Sequence, residues 1–171
     1  VGQLVASTLH NLSVLHMWNQ EYDQALPYIR ESLRIKMELV GDDGGSVHLW
    51  SNLGLINFAI GSTTSALASF RKAEQMSSKF YPDGHLTGKL MNNMACVNFK
   101  IGKIPLAHQQ FKQSIKLQRS SLDNIELSSE NDLFSISIAM FNMGVTCARK
   151  KQCDAAISHI EACYAIQQAI L

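Results

Sequence analysis

The chain has 171 residues, of which 46% are hydrophobic and 17% charged, so its composition excludes a disordered protein and is sufficient for a sizeable core. Its formal net charge is only +1 at pH 7, so no basic footprint for nucleic acid is present and we expect no nucleic-acid partner. The apolar runs are shorter than the roughly 18 residues of a membrane-spanning helix, and we expect no membrane insertion.

A triplet of asparagine, an apolar residue and a small residue occurs four times, at intervals of 41, 41 and 49 residues. The copies are Asn11-Leu12-Ser13, Asn52-Leu53-Gly54, Asn93-Met94-Ala95 and Asn142-Met143-Gly144. In every copy an alanine stands 14 residues after the Asn, a large apolar residue 18 after it, and a small residue 21 after it. This agreement indicates a repeat architecture.

The spacing within each copy predicts two helices. Apolar residues two before, one after and four after the Asn share one face of a first helix, here called helix A. The residues 14, 18, 21 and 24 after the Asn form the stripe of a second helix, helix B. Small residues 2 and 14 after the Asn let the two backbones approach closely. The sequence therefore predicts an all-α fold of four helix-turn-helix repeats.

The predicted elements follow in chain order. Helices A are expected near 4–18, 46–60, 85–101 and 132–149, and helices B near 22–40, 63–80, 104–121 and 153–170. The corresponding repeats span about 4–45, 46–84, 85–131 and 132–171 of one solenoid domain, 1–171. Because the chain begins with Val1 and not Met, we expect this domain to be a fragment of a longer protein.

Glycine and proline mark the turns inside the helix pairs. Gly61 and Gly102 stand where helix A ends, and glycine readily takes the left-handed conformation that ends a helix. Pro105 falls where the next helix begins, a place that tolerates its missing N–H. Pro27 lies further in, and we expect it within the first turn of its helix.

The connections between repeats differ in length. Turn-forming residues, Gly41–Gly45 and Pro82–Gly84, separate the first three repeats. The third connection, 123–131, is polar and longer by eight residues, which predicts an extra turn of helix B followed by an exposed loop. The last helix ends in the apolar AIQQAIL, so we expect further repeats or a partner beyond Leu171.

Four cysteines, Cys96, Cys147, Cys153 and Cys163, show neither a CxxC pair nor a disulfide-dense spacing. Reduced thiols in a cytoplasmic protein are the simplest interpretation. His159 and Cys163 could share a helix face and ligate a metal, although two ligands do not complete a tetrahedral site. No phosphate-binding loop, HExxH motif or catalytic arrangement of His is present, and we expect no cofactor, no metal and no enzymatic activity.

The stretches TLHNLSVLH…EYDQALPYIRESLRIKMELVGDD and LWSNLGLIN resemble the tetratricopeptide repeat, a helix pair of typically about 34 residues. The longer 41-residue unit, with Asn-Leu-Gly in helix A and Gly-Asp after helix B, is similar to kinesin light chain and its relatives. It departs from that family in having Gly44-Gly45 in place of His-Pro and in its expanded last connection. The resemblance implies a right-handed α-solenoid whose helices A line a concave groove for an elongated partner.

The resemblance places the partner-binding surface on helix A, around each repeated Asn. The predicted contact residues are Asn11, Asn52, Asn93, Asn142, His10, His48, Lys89, Asn92, Phe58, Phe99, Lys100 and Arg149. Asparagine amides both donate and accept, so a ladder of them can hold the backbone of an extended peptide. The cations favour an acidic partner or a C-terminal carboxylate, and the two phenylalanines offer apolar pockets.

Two interpretations of the repeated Asn stay open, because a buried amide needs partners in either role. It contacts a peptide, or it bonds between adjacent helices A and sets the register of the stack. Two functions follow. The first is a protein–protein interaction scaffold or adaptor that binds an extended peptide or partner subunit in the groove. The alternative is a structural subunit or segment, buried in a larger assembly and without a dedicated peptide ligand.

Overall fold

The computed structural model describes residues 1–122 and 130–170, and all regular secondary structure in those residues is helical. The helices are α1 (Gly2–Trp18), α2 (Tyr22–Val40), α3 (Ser46–Ala59), α4 (Thr63–Phe80), α5 (His85–Lys100), α6 (Ile104–Leu122), α7 (Glu130–Arg149) and α8 (Cys153–Ala169). The predicted boundaries agree with these to within two residues. The predicted all-α helical repeat fold is confirmed, with α1, α3, α5 and α7 as helices A.

Consecutive helices pair into hairpins, numbered 1 to 4 in chain order (α1–α2, α3–α4, α5–α6 and α7–α8). The hairpins form two compact units, Val1–Pro82 and Asp83–Leu171. Within each unit, the helix A of the second hairpin packs against both helices of the first. The extension of one solenoid domain over 1–171 stays a prediction.

Each unit has a core where its two hairpins meet. In the first unit the buried residues come from α2 and α3: Ala25, Ile29, Leu33, Leu49, Leu53 and Ile56. In the second unit, Phe111 and Ile115 of α6 belong to one cluster with Ile136, Met140 and Met143 of α7. The apolar stripes that the repeat spacing predicts therefore supply the contacts between neighbouring hairpins.

The small positions lie at helix crossings, as predicted. All four alanines 14 residues after the Asn are buried: Ala25, Ala66, Ala107 and Ala156. A Cβ added to Gly54 would lie 2.5 Å from Cε1 of Phe70, and one added to Gly144 would lie 2.7 Å from Cγ1 of Ile160. A larger side chain would therefore force these helix pairs apart.

The turns within the hairpins share one backbone conformation. Gly61 and Gly102 have φ of 84° and 81°, which confirms the predicted left-handed helix ends. Gln20 and Lys151 stand at the same repeat position and have φ of 61° and 59°. Residues with a Cβ rarely occupy this region, so the repeat geometry imposes it on hairpins 1 and 4.

Pro27 lies in the second turn of α2, so its predicted place in the first turn is wrong. The turn between α1 and α2 takes only three residues, and five helical residues precede the proline. A residue with an N–H at this position would bond to the carbonyl of Asp23, and proline cannot. The helix forms nonetheless, because its apolar face, including Ala25 and Ile29, is fully buried against the neighbouring helices.

The connection between hairpins 1 and 2 is held by one carboxylate. Oδ1 of Asp43 accepts hydrogen bonds from the backbone N (2.9 Å) and Oγ (2.8 Å) of Ser46, at the start of α3. Its Oδ2 lies 2.9 Å from Nζ of Lys36 in α2. The glycine-rich run is thus a turn, as predicted. Of the predicted exposed loop over 123–131, residues 123–129 lie outside the described part of the chain.

Candidate partner-binding surface

In the first unit, α1 and α3 bring two predicted site residues into direct contact. Nδ2 of Asn52 lies 2.9 Å from Nε2 of His10. The amide nitrogen can donate a hydrogen bond but cannot accept one, so His10 accepts this bond through an unprotonated Nε2. Burial, with a smaller effect of nearby His48, lowers the pKa of His10 below its ordinary value. The neutral imidazole that the hydrogen bond requires is therefore favoured.

The other predicted residues of this unit differ in exposure. Asn11 and His48 are exposed, whereas Phe58 is half-buried. Neither α1 nor α3 contains Lys or Arg. This helix-A surface therefore presents amide, imidazole and aromatic groups without a fixed cation.

In the second unit, Asn142 of α7 donates from Nδ2 to Oδ1 of Asn92 in α5, at 3.1 Å. The same nitrogen lies 3.5 Å from Sγ of Cys96. Burial raises the pKa of the Cys96 thiol to about 11, so this group is the neutral thiol near pH 7. Asn92 is buried and Asn93 is half-buried.

The two contacts occupy equivalent repeat positions. In each unit, the repeated Asn of the second hairpin bonds to the residue that precedes the repeated Asn of the first hairpin. These bonds support the interpretation in which the Asn sets the register between helices A. An amide has two N–H groups and a carbonyl oxygen, so one such bond leaves capacity for a ligand. The peptide contact stays a prediction.

An arginine and an aromatic ring meet where α5 and α7 end. The guanidinium of Arg149 lies over the ring of Phe99, with Cζ 5.6 Å from the ring centroid. Arg149 and Lys100 are the last residues of α7 and α5, and both are exposed. This arrangement holds a guanidinium beside an apolar surface, where it can bind a carboxylate through two parallel hydrogen bonds.

Lys89 has a protein partner that sequence reasoning missed. Its Nζ lies 3.2 Å from Oδ1 of Asp132, and Nε2 of His85 lies 2.7 Å from the same oxygen. Asp132 belongs to α7 and the other two residues belong to α5. The cluster therefore could not be predicted from the spacing of residues within one helix. Lys89 is consequently less available to an acidic partner than its charge alone suggests.

Other kinds of site have little support in the described residues. In 1–122 and 130–170, no three His, Cys, Asp or Glu side chains lie close enough together to hold a metal ion. The four cysteines are free thiols. No described helix combines the length and the apolar character that crossing a membrane requires.

Comparison with known proteins identifies the repeat. The family model for the tetratricopeptide repeat matches residues 4–79 and 45–120, which include the first three repeated asparagines. The chain belongs to the tetratricopeptide repeat family. Tetratricopeptide repeat proteins generally mediate protein–protein interactions, and their fold is typically a non-enzymatic scaffold.

Individual relatives of this tetratricopeptide repeat chain are distant. A clustered mitochondria protein homolog from Ajellomyces capsulatus is 25% identical over 138 residues, which are 80% of this chain and 11% of that protein. This chain therefore spans about a tenth of the length of that relative.

Solved structures share the fold. BtubC (BKLC) from P. vanneervenii has a TM-score of 0.85 at 14% identity, covering 99% of this chain and 66% of that one. Kinesin-light-chain TPR-like repeats from Podosopora anserina have a TM-score of 0.56 at 12% identity, covering 98% of this chain and 96% of that one. The predicted resemblance to kinesin-light-chain-like repeats is thereby supported.

Proposed function

We propose that the helix-A surface of this protein binds an extended segment of a partner protein. The observation that carries the proposal is the arrangement on α5 and α7, where Arg149 covers Phe99 about two helical turns further along both helices than the amide pair of Asn142 and Asn92. Amide, aromatic and cationic groups on one pair of helices suit the three parts of a peptide: its backbone, an apolar side chain and a carboxylate.

The acidic part of the segment is expected at the end of the second unit. Arg149 is exposed there and lies over the ring of Phe99, whereas Lys89 is held by Asp132. A guanidinium can bind a carboxylate in a bidentate manner, which gives direction as well as affinity. We therefore expect preference for a peptide whose acidic residues or free C-terminus reach the ends of α5 and α7.

The alternative, a structural segment within a larger assembly, is favoured by a different observation. Large apolar residues are exposed on α1 and α8 and include Leu15 and Tyr164. Exposed apolar residues on terminal helices are typical of surfaces that another chain or repeat covers.

The test uses three fluorescent ten-residue peptides and the chain of 171 residues. The first peptide is acidic with a free C-terminal carboxylate, the second is its C-terminal amide, and the third replaces its acidic residues with lysine. Fluorescence anisotropy should show the tightest binding for the first peptide. Arg149→Glu should weaken that binding about tenfold or more, because a charge-assisted pair is replaced by repulsion.

The matched control is Lys116→Glu, which makes the same charge change at an exposed position of α6, a helix B. If binding depends only on overall charge, both variants lose affinity equally, and the assignment to helix A is wrong. Equal affinity for all three peptides would contradict the preference for acidic groups. Asn142→Ala separates backbone binding from charge, since it leaves the cations in place.

A further inference from the structure

The turns between helices A and B of the second unit carry a group of cations. Lys103 lies in the turn between α5 and α6, and Arg149, Lys150 and Lys151 lie at the end of α7 and in the turn that follows it. All four residues are exposed. These four residues are here called the basic edge.

The two turns of the basic edge lie side by side. The guanidinium of Arg149 lies over the ring of Phe99 near the end of α5, with Cζ 5.6 Å from the ring centroid. Close to the same turn, Sγ of Cys147 in α7 lies 4.0 Å from Nδ1 of His108 in α6. The end of α7 therefore lies against both helices of hairpin 3, and the cations of the two turns share one surface.

The positive charge of this edge is not a requirement of the repeat. The positions seven to ten after the repeated Asn hold five Lys or Arg residues in hairpins 3 and 4 and none in hairpins 1 and 2. The second unit has KIGK and RKKQ at these positions, and the first unit has WNQE and AIGS. Hairpins 1 and 2 form the same helix pair without these cations, so the turn does not need them in order to fold.

The exposure of these turns does not depend on a neighbouring hairpin. Lys103 is exposed although hairpin 4 packs on hairpin 3, and Asn19 and Gln20 are exposed although hairpin 2 packs on hairpin 1. In a stack of hairpins the turns lie at the rim, and the next repeat packs beside them and not over them. The basic edge is therefore accessible with or without further repeats.

Within the described residues, the cations of the basic edge form no ion pair with Asp or Glu. The Lys and Arg residues that do form such pairs in 1–122 and 130–170 are Arg34, Lys36, Lys72 and Lys89. Asp154, in the first turn of α8, is the only acidic residue in the stretches 97–108 and 146–157. Neighbouring cations repel one another, so an acidic partner would be attracted to this edge.

Lys151 occupies its place in the basic edge with an unfavourable backbone conformation. Its φ is 59°, at the position where Gly61 and Gly102 stand in hairpins 2 and 3. A residue with a Cβ is disfavoured in this region, so glycine would suit the turn better. Gln20 has the same conformation in hairpin 1, so the turn does not impose a cation. Strained residues are frequent at functional sites, which agrees with a role for the Lys151 ammonium group.

We propose that the basic edge binds a run of Asp and Glu residues in the partner protein, next to the segment that helix A binds. The inference rests on the proposed function, because Arg149 belongs to both surfaces. Neighbouring helices lie about 8–10 Å apart and an extended chain rises about 3.3 Å per residue, so about four to six acidic residues span the two turns. Cations distributed over two turns suit a row of carboxylates better than a single phosphate group.

The test extends the acidic ten-residue peptide of the helix-A experiment at its C-terminus. One extension is six glutamates, and the other is six residues of glycine and serine. Fluorescence anisotropy at low salt should show about tenfold tighter binding, or more, for the glutamate extension. Most of this gain should disappear at about 1 M salt, where charges are screened beyond about 3 Å.

Two double charge reversals locate the contact. Lys103→Glu with Lys150→Glu changes the basic edge and leaves Arg149 in place. The matched control, Lys116→Glu with Arg119→Glu, makes the same change of charge at exposed positions of α6. We expect the edge variant to lose the gain from the glutamates and the control to keep most of it. Circular dichroism checks that both variants fold.

Lys151→Gly separates binding from stability. Glycine relieves the positive φ, so urea denaturation should show a variant at least as stable as the parent chain. The gain from the glutamates should nevertheless fall about threefold, as expected for the loss of one exposed ion pair. Weaker binding by a chain of equal or greater stability cannot result from unfolding.

Three outcomes would overturn the proposal. If both double variants lose the gain equally, it reflects overall charge and not the basic edge. If the two extensions bind equally, no acidic run is recognised, and the effect of Arg149→Glu on the ten-residue peptide still tests the proposed function separately. If the glutamates bring no gain but the parent chain, unlike the edge variant, sediments with phosphatidylserine vesicles, the basic edge binds an anionic membrane instead.

Discussion

Gly54 of α3 lies directly against the ring of Phe70 in α4. A Cβ at this glycine would approach Cε1, Cδ1 and Cζ of the ring to between 2.5 and 2.9 Å. Phe70 is fully buried, so the ring has little freedom to move aside. The small residue of the repeated triplet is therefore fixed by a contact across the hairpin and not by a preference of its own helix.

We expect Gly54→Ala to lower the free energy of unfolding. Overpacking costs about 1–3 kcal/mol, and alanine recovers about 1 kcal/mol through its better helix propensity, so a net loss of about 1 kcal/mol should remain. Urea denaturation measures it. In a double-mutant cycle, Phe70→Leu should remove most of the overpacking cost. A variant more stable than the parent chain would show that the helices separate freely at this crossing.

Gln20 and Lys151 should each be replaceable by glycine with a gain in stability. Both have positive φ, which costs a residue with a Cβ roughly 1–2 kcal/mol. Glycine avoids this steric cost, but it loses more backbone entropy on folding, which offsets part of the gain. We expect Gln20→Gly and Lys151→Gly to gain up to about 1 kcal/mol each in thermal or chemical denaturation. Gln20→Ala keeps the strain and serves as the control. If Gln20→Ala raised the free energy of unfolding as much as Gln20→Gly, the gain would come from loss of the glutamine side chain and not from relief of backbone strain.

Two buried serines should respond to alanine with opposite signs. Oγ of Ser13 has no hydrogen-bond partner, whereas Oγ of Ser114 donates to the carbonyl oxygen of Gly88 and accepts from Nε2 of Gln118. Ser13→Ala should raise the free energy of unfolding by about 1 kcal/mol, and Ser114→Ala should lower it by about 1–3 kcal/mol. Urea denaturation of both variants checks the pair. Equal signs would contradict the assigned hydrogen bonding.

Acidification should weaken the first unit through His10. Its folded-state pKa is lowered below the ordinary 6.5, chiefly by burial, so the unfolded chain binds the proton first. The stability that neutral His10 contributes is complete above that value and is lost as pH falls towards the folded-state pKa. The free energy of unfolding at pH 5.5 and 7.5 should therefore differ less for His10→Gln than for the parent chain. An unchanged difference would rule out His10 as a source of the pH dependence.

The helices were predictable because the same spacing of asparagine, small and apolar residues occurs in all four copies of the repeat. The asparagines, the buried alanines and the large apolar residues recur at fixed offsets, and helix packing requires residues of these sizes at those places. The left-handed turns were predictable at Gly61 and Gly102, where glycine marks them. Gln20 and Lys151 also have positive φ, but neither residue type predicts this conformation. It can be inferred only from their position in the repeat, which matches that of Gly61 and Gly102.

The candidate site was less predictable, because side-chain partners depend on contacts between distant residues. The sequence could not decide whether Asn52 and Asn142 face a ligand or a neighbouring helix, since an amide suits both roles. It also gave no indication that Asp132 pairs with Lys89, because the two residues are 43 positions apart. The sequence shows which amide, cationic and aromatic side chains the helices carry. Packing determines which of these side chains already contact another residue of the protein.

Two serine hydroxyls carry a consequence for how such a chain can change by duplication. Oγ of Ser32 bonds to the carbonyl oxygen of Ala6, and Oγ of Ser114 to that of Gly88, each across 26 residues of a single hairpin. A gene segment that encodes hairpin 1 or hairpin 3 therefore also encodes a hydrogen bond that joins its two helices, wherever the segment is copied. Insertion or loss of such a hairpin would leave this bond intact and would disturb only the packing contacts between neighbouring hairpins. The hairpin is therefore the natural unit of evolutionary exchange.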